Sequence, residues 1–383
     1  MGLLERYRRY DDLSPEERRR RALERREEQR RGREEKGVVD LSDTSLPTLP
    51  NPEVVNAAIA VVRTRLHAYA DPAGVAARAA IAERHGIDRS QVVIGNGAAE
   101  LLRAGAQALL SARDELVTPW PSYPLYPELA RRADARLVPV PASAGAADLD
   151  ALHSTVSERT RVIVLCNPND PTGGYVRSER VAELLDRLPE RAFLFLDETL
   201  AHFQSAEPLD AGLALVERFP RLIVFRTLSK AYGFPGLRVG YAVGSKQAPY
   251  ELLESFGPEL GVNAVSQAAM AYAVTRVEYD VERRRQAVRI ERERFQASLR
   301  ALPIETAASE ANFVWLRVPG MRSVELAARL ERSGVLVARG ERFGDRDHVR
   351  VGVRDGTATS RVVAALRAAT ERGSDPAGNE PPG

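Results

Sequence analysis

The chain has 383 residues, 44% of them hydrophobic and 28% charged, proportions of a folded protein long enough for two lobes around a sizeable core. Its 55 Lys+Arg against 53 Asp+Glu leave a formal net charge of +2, without the basic excess that nucleic-acid binding demands. No apolar run reaches membrane-spanning length and there is one cysteine, Cys166, which excludes a membrane span, a disulfide framework and a cysteine-ligated metal, and implies a cytoplasmic protein.

Residues 1–36 form a charged N-terminal arm. Ser14-Pro15-Glu16-Glu17 reads as a helix start with a capping box, but the Arg/Glu run that follows offers no apolar face to bury. Residues 37–67 are assigned to a small domain, and Asp71-Pro72-Ala73-Gly74 is a turn. Apolar strands then alternate with helices: Val92–Gly95, Glu115–Thr118, Arg136–Val140, Val162–Cys166, Phe193–Leu196, Leu222–Phe225 and Val239–Val243. Such alternation predicts an α/β fold whose large domain, residues 68–265, holds a mostly parallel seven-stranded sheet. Residues 266–372 read as a smaller α+β domain, beginning with a long charged helix and including strands at 312–318, 335–338 and 349–353. The tail, 373–383, is rich in Gly and Pro and is expected to be disordered.

The stretch Thr227-Leu228-Ser229-Lys230-Ala231-Tyr232-Gly233-Phe234-Pro235-Gly236-Leu237-Arg238 stands out chemically. Only Lys36, Lys230 and Lys246 are lysines in a chain that otherwise uses arginine for positive charge. A lysine kept beside Thr and Ser points to a need for a primary amine, because arginine can neither lose its proton nor form a Schiff base. Gly95-Asn96-Gly97-Ala98-Ala99 joins a strand to a helix, where backbone N–H groups and the helix dipole favour an anion. Asp197 closes an apolar strand at its C-terminal end, the edge where open α/β sheets bind ligands.

Together these stretches resemble the fold-type I pyridoxal-phosphate (PLP) enzymes, within the class I/II aminotransferase family and closest to its histidinol-phosphate aminotransferase branch. The resemblance covers roughly residues 38–370. It implies that Lys230 forms the Schiff base with PLP and that Asp197 holds the pyridine nitrogen protonated, with Tyr123 of Pro121-Ser122-Tyr123-Pro124-Leu125-Tyr126 stacked on the ring. Gly97, Ala98 and Ala99 would bind the phosphate through their backbone, joined by Thr227, Ser229 and Arg238. Tyr69 of His67-Ala68-Tyr69 would reach the phosphate of a partner subunit, which implies a homodimer with shared active sites. Arg350, with Arg339 as a neighbouring alternative, and Asn312 would receive the α-carboxylate of an amino acid, a keto acid being the second substrate. Tyr126 is assigned to core packing and Glu198 to structure.

Two positions depart from the family. Asn167-Pro168-Asn169-Asp170-Pro171-Thr172-Gly173 keeps Asn169 but places Asp170 where an asparagine meets the cofactor's phenolic oxygen, and Leu200 replaces a tyrosine serving the same oxygen. An ionised carboxylate about 4 Å from a phenolate would cost on the order of 4 kcal/mol at an effective dielectric near 20. Asp170 is therefore expected to be protonated, turned away or held by a nearby arginine. The segment Leu41-Ser42-Asp43-Thr44-Ser45 also replaces an Asn-rich one, so histidinol phosphate is not carried over as substrate. The reading is a PLP-dependent aminotransferase. Its alternative is another PLP reaction at an amino acid: decarboxylation, β/γ-elimination or replacement, or carbon–carbon bond formation.

Overall fold

The structure is a computed structural model that describes residues 37–371, apart from 144, 248 and 249, together with isolated positions between 14 and 28. The disordered tail expected at 373–383 and most of the charged arm lie outside the described residues. At the arm's start, Ser14 Oγ accepts from Glu17 N at 3.2 Å while the Glu17 carboxylate accepts from Ser14 N at 3.0 Å, a closed capping box.

Twelve strands are present among the described residues: β1 (Val39–Leu41), β2 (Val92–Gly95), β3 (Glu115–Trp120), β4 (Arg136–Pro141), β5 (Thr160–Cys166), β6 (Phe193–Asp197), β7 (Leu222–Thr227), β8 (Gly240–Val243), β9 (Glu305–Thr306), β10 (Phe313–Arg317), β11 (Val335–Arg339) and β12 (His348–Gly352). Seven build the large sheet in the order β2-β8-β7-β6-β5-β3-β4. All of its pairings are parallel except the two made by β8, which runs antiparallel to both β7 and β2. Side chains along a strand alternate between faces. Ile163, Leu165, Leu194, Leu196, Leu222 and Val224 enter one core, whereas Val162, Val164, Phe193, Phe195, Ile223 and Phe225 enter the other. Both faces are thus covered, which is why these strands read as unbroken apolar runs.

The second sheet has the order β1-β11-β12-β10-β9. Val39–Leu41 pairs in parallel with Val335–Val337, so the first described strand completes a sheet whose other members come from the last fifth of the chain. The helix Glu278–Leu299 packs against β10 of the second sheet and the Ala201–Phe203 turn that follows β6. Its Arg284 donates to the carbonyls of Tyr232 (2.5 Å) and Leu49 (2.9 Å), tying the Lys230 loop to the segment that follows β1.

Candidate active site

The C-terminal ends of β5, β6 and β7 open into a cavity of about 300 Å³. Cys166, Asp197 and Thr227 are the last residues of those strands, and all three line it. Lys230 enters from the loop after β7, Tyr123 from the loop after β3, and Arg350 from β12 of the second sheet. Ser42, Asp43 and Thr44 close the remaining side.

Lys230 donates to the Thr44 hydroxyl. Burial lowers its pKa; the nearby carboxylates of Asp170 and Asp43 oppose that shift without cancelling it. Asp197 is pushed the other way: burial raises its pKa, against the hydrogen bonds from Tyr126 Oη (2.8 Å) and the Thr199 backbone N–H (3.1 Å). An acid held in this state gains most from a cationic partner set against it. The assignment of Tyr126 to core packing is therefore incomplete. Its ring is buried, at 5.9 Å and 73° from the Tyr123 ring, while its hydroxyl orients Asp197.

An anion cradle lies beside the lysine. Gly97 precedes the helix Ala98–Leu109 at φ +85°, and a Cβ there would come within 2.6 Å of Arg238 Nη2. A Cβ at Gly240 would meet Ala98 N at 2.6 Å. Gly97 is therefore held to glycine by its conformation, since the Arg238 side-chain end could give way, and Gly240 by backbone contact. Thr227 Oγ1 donates to Ser229 Oγ at 3.0 Å, and Arg238 Nη1 reaches the same Ser229 oxygen at 3.4 Å. Ala98, Ala99, Thr227, Ser229 and Arg238 all border the cavity. Helix N–H groups, two hydroxyls and a guanidinium fit a phosphate, and a buried amine with a facing acid fits the rest of PLP.

Several expected residues sit elsewhere. Asn169 does not border the cavity: its side chain accepts from Ser122 Oγ (2.7 Å) and donates to the Pro121 carbonyl (3.0 Å) and Thr172 Oγ1 (2.8 Å), bracing the loops after β3 and β5. Arg339 is exposed in a separate shallow groove with Ser42, Glu341 and Arg342. It stands opposite Val349 in the β11–β12 register, one residue from Ala338, the partner of Arg350, and so projects from the other face. Asn312 is buried and donates to the Thr44 carbonyl at 2.8 Å, acting on the closing segment. Tyr69 is 95% exposed and away from the cavity of its own chain. Glu198 binds the buried Arg226 through Nε (2.9 Å) and Nη2 (2.6 Å), beneath the site.

Arg350 borders the cavity, but its guanidinium is already engaged. Nη1 donates to both carboxylate oxygens of Asp170, at 2.5 and 2.7 Å, and Nη2 donates to the Ser42 carbonyl at 3.0 Å. Of the three outcomes open to Asp170, the structure has the third, a nearby arginine holding it. Sequence reasoning missed Thr44, Arg284 and Arg342, the last of which borders the cavity. Thr44 lies in the segment already marked as atypical; the two arginines had no signal in a chain so rich in that residue.

Residues 36–366 match the sequence profile of the family described as aminotransferase class I and II. The chain is 36% identical over 353 residues to an aromatic amino acid aminotransferase of Corynebacterium jeikeium, covering 88% of this chain and 91% of that one. It is 38% identical over 330 residues to the one from Nocardia farcinica, covering 85% and 89%. Among solved structures, the histidinol-phosphate aminotransferase of Sinorhizobium meliloti in complex with pyridoxal-5'-phosphate superposes with a TM-score of 0.77 at 24% identity, covering 88% of this chain and 92% of that one. A Thermus thermophilus aspartate aminotransferase double mutant superposes at 0.79, also at 24% identity, covering 94% and 98%. The chain belongs to the class I and II aminotransferases: it is a fold-type I, PLP-dependent transferase acting on an amino acid or related amine.

Proposed function

We propose that the amino donor carries an aromatic or comparably apolar side chain. The observation that carries this reading is the apolar part of the wall near Lys230, where Leu102, Leu200 and Phe343 border the cavity beside its charged and hydroxyl residues. Leu200 stands where a tyrosine hydroxyl is expected and turns that part of the wall apolar. The names of the relatives support the same substrate class.

When bound, PLP supplies a carbonyl for the amine and an electron-withdrawing ring for the carbon that loses its proton. In this reading Lys230 holds the cofactor, and its Nζ, neutral more readily because it is buried, moves the proton at the donor's Cα. Asp197 would supply the carboxylate for the ring nitrogen, and Tyr123, which also borders the cavity, would cover the ring. The N–H groups of Gly97, Ala98 and Ala99, with Thr227, Ser229 and Arg238, hold the phosphate. Arg350 and Asn312 remain the candidates for the donor's carboxylate, Asn312 acting through Thr44. Tyr69, exposed on its own chain, serves a partner's site in a homodimer, and Leu49, Ile59, Val62 and Leu66 supply exposed apolar surface on the same part of the chain. Sedimentation at micromolar concentration then gives a dimer mass. A cytoplasmic setting is part of this reading, its support being the one buried thiol, Cys166.

The test is a single-turnover titration of the PLP-loaded protein with phenylalanine, tyrosine, tryptophan, aspartate and histidinol phosphate, following the cofactor's absorbance. Fastest conversion by the aromatic donors, reversed by the matching keto acid, is the expected result. Aspartate or histidinol phosphate reacting at least as fast would overturn the substrate class. Release of carbon dioxide or ammonia without conversion would favour the alternative chemistries.

A further inference from the structure

Resting on that reading of the cavity, we infer that Asp170 is a specificity-determining residue, an internal carboxylate that occupies Arg350 in place of a substrate's. The geometry leaves Arg350 little to offer, with three of its five N–H donors already committed. Nη1 spans both oxygens of Asp170, Nη2 is bound to the Ser42 carbonyl, and Nε is enclosed without an acceptor. The Phe313 and Phe343 ring centroids lie 5.2 and 4.8 Å from the guanidinium carbon and flank the group. Arg350 is 5% exposed and Asp170 8% exposed.

A two-point grip on an incoming α-carboxylate therefore requires exchange at Arg350. The carboxylate must part Asp170 from Nη1 or lift the Ser42 segment from Nη2, and a parted Asp170 is left in a buried pocket with another anion nearby. Neither cost applies to an amine whose reacting carbon carries no carboxylate. The cavity consequently discriminates weakly in favour of α-amino acids over the corresponding amines. A neutral side chain at 170 would reverse this, because Arg350 would then be a buried cation in need of an anion.

The experiment compares the PLP-loaded wild type with Asp170→Asn and Asp170→Ala. Calorimetry with 3-phenylpropanoate measures carboxylate affinity without any reaction. Single-turnover rates with phenylalanine and 2-phenylethylamine give the discrimination ratio. Both variants should bind 3-phenylpropanoate about tenfold or more tightly than wild type, the scale of one charge-assisted hydrogen bond, and the ratio should move toward phenylalanine by a similar factor. The second variant keeps the comparison available if one fails to fold. Unchanged or weaker binding in a folded variant overturns the inference, as does a carboxylate affinity that depends on Arg342 rather than on position 170. A wild type that transfers no amine from any donor would remove the substrate reading, while the calorimetry would still decide the role of Asp170.

Discussion

Lys230 could be singled out from the sequence because it breaks a habit: arginine is used almost everywhere else. The structure adds what composition could not, an enclosed amine with a lowered pKa bonded to Thr44. Lys230→Arg keeps the charge but removes the reactive amine. It should lower single-turnover amine transfer by about 10²- to 10⁴-fold and abolish the absorbance band that PLP acquires when linked to the protein. Tyr126 illustrates the opposite case, a residue whose partner was illegible. Its hydroxyl meets Asp197, 71 positions away, and nothing local distinguishes such a tyrosine from one that fills a core. Tyr126→Phe removes a hydrogen bond that holds Asp197's pKa down. The acid then becomes harder to ionise, and PLP affinity should fall by the worth of a charge-assisted hydrogen bond, about 1.5–3 kcal/mol, measured by equilibrium dialysis of the cofactor.

At the scale of elements, all seven strands of the large sheet were legible, since β-branched and aromatic runs between helices carry that signal. The reversal of β8 was not. A strand buried on both faces shows no alternation, and direction leaves no mark on composition. The ends of β6 and β7 are fixed from below by charge: Arg226 is fully buried, binding Glu198 at 2.6 Å and Asp210 at 2.6 Å. Arg226 directly precedes Thr227 and Glu198 directly follows Asp197, so this pair sets the spacing between the lysine loop and the acid. Arg226→Met leaves Glu198 buried without its partner and should cost about 3–5 kcal/mol in urea unfolding, with PLP affinity falling in parallel. The Asp170–Arg350 pair was equally hidden, its members lying 180 positions apart, one in the loop after β5 and the other on β12 of the second sheet.

Over the whole molecule, buried histidines couple stability to pH. Burial pushes His202 down to about 3, with the charges of Arg226 and Arg285 adding to the effect, whereas in an unfolded chain histidine titrates near 6.5. Between those values the unfolded state binds the extra proton, so stability rises with pH there. The contribution is complete above about pH 6.5 and lost as the pH falls toward 3, on the order of a few kcal/mol. His85, which burial also lowers, acts in the same direction. Urea midpoints should drop between pH 8 and pH 5, and His202→Phe, which keeps a ring against Tyr232 (5.3 Å), should flatten that drop. Within this body, the reversed β8 has one more effect. Its register sets Gly240 directly opposite Thr227, so the twelve residues between them leave and return at a single gate, pinned at its base. The separation of the reactive amine from the guanidinium at 238 then depends on the length of this loop and on the hydrogen bonds that fold it, such as Phe234 N to the Leu228 carbonyl and Arg284 to the Tyr232 carbonyl. Removing one residue from Tyr232–Leu237 would leave every strand pairing in register, yet pull the two groups out of step, disarming the site in a protein that still folds.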